Sequence, residues 1–148
     1  MHYMKRILIS LSFVSILPTS AAACGADTDC MIGERHYRIA MPKGHDGKTP
    51  VGAIVFAHGY QGSAAGLMRN KTLRRTVSDL GVALIAVKSV GSDWNLPNAP
   101  RATTRDGSEE FKYIDAVIAD ASTKFAIDTD KMMATGFSAG GMLVWNLI

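Results

Sequence analysis

The feature of the sequence that most constrains the fold is a Gly-x-Ser-x-Gly pattern at Gly136-Phe137-Ser138-Ala139-Gly140. A short strand is predicted before it, at residues 131–135, and a helix from Ser138 onward. A serine on a sharp strand-to-helix turn needs glycines two positions before and two after it, because the turn is crowded. The pattern therefore predicts a nucleophile elbow at Ser138, with the N-terminus of the next helix facing the developing negative charge.

Strand and helix patterns alternate along the rest of the chain. Residues 35–41 alternate apolar and polar side chains, as an edge strand does. Residues 51–57 and 82–88 are continuous apolar runs, typical of strands buried on both faces. Apolar residues at helical spacing predict one helix that ends near Gly81 and another over residues 111–125. This order predicts an α/β fold with a mostly parallel sheet flanked by helices.

His58-Gly59 follows the apolar run at residues 51–57 and is the second signal. In elbow-type hydrolases the loop after such a strand supplies one backbone N–H to the oxyanion hole, and the residue after the nucleophile supplies the other. We therefore predict the N–H groups of Tyr60 and Ala139 as the oxyanion hole. His58 precedes the serine, whereas the catalytic histidine of these enzymes follows it, so we expect His58 to shape the loop.

Several segments together resemble the polyhydroxybutyrate depolymerase and feruloyl-esterase-like family of secreted α/β-hydrolases. The residues that carry the resemblance are His58-Gly59, Trp94, Ile127-Asp128, Lys131 and Gly136-Phe137-Ser138-Ala139-Gly140-Gly141-Met142. The resemblance covers about residues 34–148. It implies a secreted serine esterase that hydrolyses polyhydroxybutyrate oligomers or related carboxylic esters through an acyl-enzyme on Ser138. Family members often have a cysteine after the His-Gly pair. Tyr60 stands there in this chain, with little expected effect because only its N–H is used.

The acid and the base of such an enzyme are not evident in the sequence. The ten residues after Ser138 include no Asp, Glu or His, and all four histidines precede it. We therefore expect residues 24–148 to be the N-terminal part of an α/β-hydrolase domain, truncated after the elbow helix. Two alternatives to an active esterase remain open. One is a serine peptidase of the same fold, since the elbow does not distinguish an ester from an amide; the other is a catalytically inactive exported fragment.

The first 23 residues have the features of a secretory signal peptide. Lys5 and Arg6 supply the positive start, residues 7–17 are an apolar run, and Ala21-Ala22-Ala23 offers a cleavage site. The apolar run is too short to span a bilayer comfortably, so no stable membrane span is expected. Export to the periplasm or the medium is the prediction.

Export makes the two cysteines informative. Cys24 and Cys30 lie just after the predicted cleavage site, and no other cysteine competes for them. In an oxidising compartment they are expected to form a disulfide. The alternative is a lipoprotein with lipid on Cys24, although the leucine usual before such a site is absent.

Trp94 lies in a predicted loop over residues 91–105. It is a candidate for substrate binding, and the alternative is a loop residue that packs on the core.

The charge of the chain excludes one class of partner. Without Lys5 and Arg6 the formal charge of +3 falls to +1, too little to indicate a nucleic-acid partner. No cluster has metal-ligand spacing, and no cofactor motif is found. The partner that the family resemblance implies is a small or polymeric ester.

Overall fold

The computed structural model describes residues 23–97, 99 and 106–148. The strands are Cys30–Ile32 (β1), Arg35–Ala40 (β2), Val51–Ala57 (β3), Ala83–Val87 (β4) and Ile127–Gly136 (β5). The helices are Ala64–Arg69 (α1), Lys71–Asp79 (α2), Ser108–Phe125 (α3) and Ala139–Leu147 (α4). The predicted signal peptide, except Ala23, lies outside the described residues and stays a prediction.

The five strands form one sheet in the order β1-β2-β4-β3-β5. β4, β3 and β5 are parallel, whereas β2 runs antiparallel to β4 and β1 antiparallel to β2. The register places Val87, Ala57 and Gly136 in one row at the carboxyl ends of the parallel strands. The loops that follow these three strands therefore meet at one edge of the sheet.

Helices cover both faces of the sheet. Val117, Ala121 and Leu143 of α3 and α4 pack on one face, and Met68 and Val77 of α1 and α2 pack on the other. All five residues of β4 are buried, because this strand lies inside the sheet and has helices on both sides. Within the described ranges, no helix is long and apolar enough to cross a membrane.

The prediction of an edge strand at residues 35–41 is wrong in one respect. Tyr37 and Ile39 face the core, as the alternation indicates, but β2 lies between β1 and β4 and is not an edge. β1 has three residues, too few to show a periodic pattern. A disulfide joins its buried Cys30 to Cys24, and this confirms the predicted pairing.

Two further elements differ from the prediction. β5 begins at Ile127, four positions before the predicted start. Its first half is polar and has an irregular register opposite Val51, so it shows no strand pattern in the sequence. Asp128 lies within this first half and accepts a hydrogen bond from the Asp130 N–H. The six-residue helix α1 was not predicted, since one and a half turns give little periodicity. Its N-terminus is capped by Ser63, whose side chain accepts from the Gly66 N–H.

A buried ion pair joins the sheet to α3. Arg35 of β2 donates to Glu110 Oε2 at 2.7 Å, and the guanidinium lies 3.5 Å from the ring centre of Tyr113. Burial raises the pKa of Tyr113 to about 12. Its hydroxyl therefore stays protonated, donates to the His36 carbonyl and accepts from the Lys88 N–H. The structure thus gives Glu110 a tertiary role that no sequence pattern indicates.

We predict that Glu110→Ala lowers the free energy of unfolding by about 3 kcal/mol or more, because Arg35 is left without its carboxylate in a largely buried position. Urea unfolding followed by circular dichroism measures the loss. Glu109→Ala is the matched control, since Glu109 is the exposed neighbour on the same helix and its loss should cost about 0.5 kcal/mol or less. Equal losses in the two variants would contradict the prediction.

Candidate active site

Ser138 occupies the sharp turn between β5 and α4. Its backbone has φ 53° and ψ −118°, a conformation that L residues rarely adopt. The side chain is exposed, and the next residue begins α4. A serine held in a strained strand-to-helix turn at the carboxyl edge of a parallel sheet has the geometry of a nucleophile elbow.

The glycines around Ser138 permit a close approach of two backbones. A Cβ on Gly136 would overlap the backbone of Gly140, and a Cβ on Gly140 would overlap the carbonyl oxygen of Ala57. It would also lie 2.7 Å from the carbonyl oxygen of His58. The first turn of α4 therefore rests directly on the end of β3, which places the elbow beside the loop that follows β3.

The loop that follows β3, residues 58–62, contains the predicted oxyanion donor Tyr60, and it is called here the oxyanion loop after that prediction. A Cβ on Gly59 would lie 3.5 Å from the Cβ of Ser138, so the loop passes next to the serine. Ala139 is the first residue of α4, and a first-turn N–H has no acceptor within its own helix. The structure thus brings Ser138, Tyr60 and Ala139 together. Their roles in catalysis stay predictions.

His58 is buried at the start of the oxyanion loop. Its Nε2 accepts from the backbone N–H of Ser89 at 3.2 Å, so the proton lies on Nδ1, which donates to the Gly59 carbonyl at 2.7 Å. Burial lowers the pKa of His58 below its ordinary value of 6.5; the Lys88 cation also lowers it, while the Gly59 hydrogen bond opposes the shift. A neutral imidazole with both nitrogens engaged inside the protein is poorly placed to take a proton from Ser138.

Two cavities open beside Ser138, and it lines both of them. The first has a volume of about 540 Å³ and is lined mainly by apolar side chains, among them Phe56, Leu67, Leu73 and Phe137. The second, of about 450 Å³, is lined by Pro97, Ser138, Gly141, Met142, Trp145 and Asn146. Ser138 is therefore accessible from both cavities.

Trp94 does not line either cavity. Its side chain is buried against the core and against His58, with the ring centres 5.0 Å apart. This placement favours the alternative of a loop residue packed on the core. Direct contact with a substrate stays a prediction.

The sequence analysis did not identify the backbone groups that hold the oxyanion loop in place. Ser92 accepts from the Gln61 N–H at 2.7 Å through its carbonyl, and Gln61 has a positive φ of 57°. No periodic signal marks these positions, because they act through the backbone. In the described part of the chain, no group of three His, Cys, Asp or Glu side chains is arranged to hold a metal ion.

Comparisons with known proteins agree with this geometry. No model of a protein family matches the chain. A curated protein of Nocardia uniformis subsp. tsuyamanensis, named "Putative esterase NocK", is 29% identical over 120 residues. These cover 76% of this chain and 33% of the relative, so the chain spans about a third of the length of that protein.

Two solved structures show the same arrangement of strands and helices. An S-formylglutathione hydrolase from Agrobacterium tumefaciens matches with a TM-score of 0.61 and 15% identity, over 76% of this chain and 47% of its own. An acetyl xylan esterase from Aspergillus awamori matches with a TM-score of 0.58 and 19% identity, over 74% of this chain and 40% of its own. These likenesses confirm the predicted fold, that of the α/β-hydrolases.

We predict that Gly140→Ala lowers the free energy of unfolding by about 3 kcal/mol, because the new methyl group meets the backbone of Ala57 and neither side is flexible. Gly141→Ala is the matched control. Its Cβ would lie 3.6 Å from the nearest atom, the Gly136 carbonyl oxygen, and alanine favours a helix over glycine by about 1 kcal/mol. Urea unfolding of both variants makes the comparison, and a Gly140 variant as stable as the Gly141 variant would show that the backbones are not in contact.

We predict that stability falls as the pH drops below about 6.5, because the pKa of His58 is lower in the folded protein than in the unfolded chain. The unfolded chain takes up the proton first, so the contribution of His58 is fully present above pH 6.5 and declines below it. NMR titration of the His58 ring protons, in buffer and in urea, measures the two pKa values. A folded-state pKa at or above the value in urea would disprove the prediction.

Proposed function

We propose that this protein is a serine esterase that hydrolyses carboxylic esters through an acyl-enzyme on Ser138. The observation that carries the proposal is the strained backbone of Ser138 at the elbow, beside the oxyanion loop. Backbone strain at a reactive position persists only where the surrounding structure imposes it. The word esterase in the names of the curated relative and of the Aspergillus awamori enzyme supports an ester over an amide.

The proposed reaction has two steps. Ser138 Oγ attacks the carbonyl carbon of the ester, its proton passes to a base, and the N–H groups of Ala139 and Tyr60 stabilise the oxyanion. The tetrahedral intermediate collapses, the base returns the proton to the leaving alcohol, and an acyl-serine remains. Water then attacks the acyl-serine by the same route, which releases the acid and restores Ser138.

Among the described residues no histidine or carboxylate hydrogen-bonds to Ser138 Oγ. Both ring nitrogens of His58 are hydrogen-bonded, one to the backbone of Ser89 and the other to that of Gly59. In elbow-type hydrolases the acid and the histidine follow the nucleophile along the chain, so we assign neither role to His58.

For the substrate we propose an ester with an apolar acyl group, such as an oligomer of polyhydroxybutyrate or a related hydroxyacid. The larger cavity beside Ser138 supports this choice, because Phe56, Leu67 and Phe137 offer apolar surface to an acyl chain. Ser63 and Asn70 add polar groups to the same wall, where a hydroxyl group of the acid could hydrogen-bond.

We also propose that the protein is exported. The disulfide between Cys24 and Cys30 supports this, since disulfides persist in oxidising compartments. It also argues against a lipid on Cys24, because the sulfur is already bonded to Cys30.

The proposal predicts that the purified protein hydrolyses p-nitrophenyl acetate and butyrate, and that Ser138→Ala lowers the rate to that of the reaction without enzyme because the nucleophile is lost. Release of p-nitrophenol measures the rate. The matched control is Ser122→Ala, which removes a serine hydroxyl on α3 that bonds only to the Ala119 carbonyl. This variant should keep the activity of the wild type.

Each alternative has its own outcome in this assay. Faster cleavage of butyryl p-nitroanilide than of p-nitrophenyl butyrate would identify a peptidase. A folded protein whose activity equals that of Ser138→Ala would identify a catalytically inactive exported product. Release of 3-hydroxybutyrate from its oligomers would support the proposed substrate class.

A further inference from the structure

Hydrogen bonds connect the oxyanion loop to the segment that follows β4, residues 89–96, called here the support segment. The indole Nε1–H of Trp94 donates to the His58 carbonyl at 2.8 Å. The Gln61 N–H donates to the Ser92 carbonyl at 2.7 Å, and the Ser89 N–H donates to His58 Nε2 at 3.2 Å. The start and the middle of the oxyanion loop are therefore both held by the support segment.

The Trp94 contact is made by a donor side chain that is fully buried. Trp94 is 1% exposed, and its ring lies against that of His58. The carbonyl that it binds belongs to the backbone on which Gly140 rests, so the indole supports the oxyanion loop and the elbow together. A buried carbonyl that loses its only side-chain donor is costly, and the backbone that carries it tends to move.

The support segment is in turn anchored to α3. Glu110 is 0% exposed; its Oε1 accepts from the Asn95 N–H at 2.9 Å, and its Oε2 accepts from Arg35 at 2.7 Å. Lys88 holds the other end of the segment, since its Nζ donates to the Ser89 carbonyl at 2.9 Å. A series of hydrogen bonds thus connects the sheet and α3 to the support segment, and Trp94 connects the support segment to the oxyanion loop.

We propose that Trp94 is a positioning residue for catalysis, and that its indole N–H fixes the oxyanion loop at the distance from Ser138 that the tetrahedral intermediate requires. The proposal rests on the proposed esterase function. Oxyanion donors act because they are held in place before the reaction, and a displacement of about 1 Å can cost roughly 100-fold in rate. Such a residue changes kcat without touching the substrate.

The test replaces the indole N–H and keeps the ring. Trp94→Phe removes the donor, and 3-benzothienylalanine incorporated at position 94 keeps both fused rings while sulfur replaces the N–H. The second variant preserves the packing if Trp94→Phe fails to fold. The control is Tyr37→Phe, which removes a partly buried hydrogen bond to Asp120 away from the oxyanion loop.

Two readouts are expected to change together. Hydrogen exchange of the Gln61 amide, followed by NMR, becomes about 10-fold faster in the Trp94 variants, because the loop opens more often. With p-nitrophenyl butyrate, kcat falls about 10-fold while KM stays within about two-fold, because ground-state binding is unaffected. Tyr37→Phe changes neither readout.

Other results overturn the proposal in distinguishable ways. Unchanged exchange of the Gln61 amide shows that Trp94 does not hold the loop, whatever the activity. Faster exchange with an unchanged kcat shows that the loop position does not matter for the reaction. A raised KM at constant kcat identifies Trp94 as a substrate contact instead. A wild type without turnover dependent on Ser138 overturns the esterase proposal and, with it, the catalytic role of Trp94.

Discussion

The close approach of α4 to the end of β3 is the constraint on which the site depends. Gly140 packs against the Ala57 carbonyl so tightly that no side chain fits between them. This contact sets how far α4 extends over the sheet, and with it the strained conformation of Ser138. Because the same backbone continues into the oxyanion loop, one contact orients both the serine and the groups beside it. The strain is sustained by the packing of the parallel strands β3 and β5 below it.

A second set of contacts keeps the loops at this edge in place. The carboxylate of Glu110 bonds to a side chain of β2 and to the backbone after β4, although the residue itself lies on α3. A buried carboxylate is stable only when both oxygens have partners, and here both do. Tyr113, on the same helix, adds hydrogen bonds to β2 and to the residue that follows β4. These polar contacts fix the direction in which the loops leave the sheet, which apolar packing alone does not do.

Much of the fold could be predicted from the sequence, because it is encoded in local patterns. The apolar runs predicted β3 and β4, the helical spacing predicted α2 and α3, and the glycine pattern predicted the turn at Ser138. Elements without a local pattern were missed: β1 has three residues and α1 has six. Both depend on long-range contacts, with Tyr37 for β1 and with the apolar face of the sheet for α1.

The sequence by itself determined the order of the longer strands and helices and the turn at Ser138 with its glycines, because each of these follows from residue type and spacing along the chain. Only the tertiary structure decided how residues far apart in sequence act together. The sequence marks Trp94 as a candidate for substrate binding. The structure places it against the oxyanion loop, where its indole N–H donates a hydrogen bond to the His58 carbonyl. No sequence pattern marks Glu110, and the structure shows that its carboxylate connects α3 to β2 and to the segment after β4. Such roles depend on distances in space, which periodicity and composition do not record.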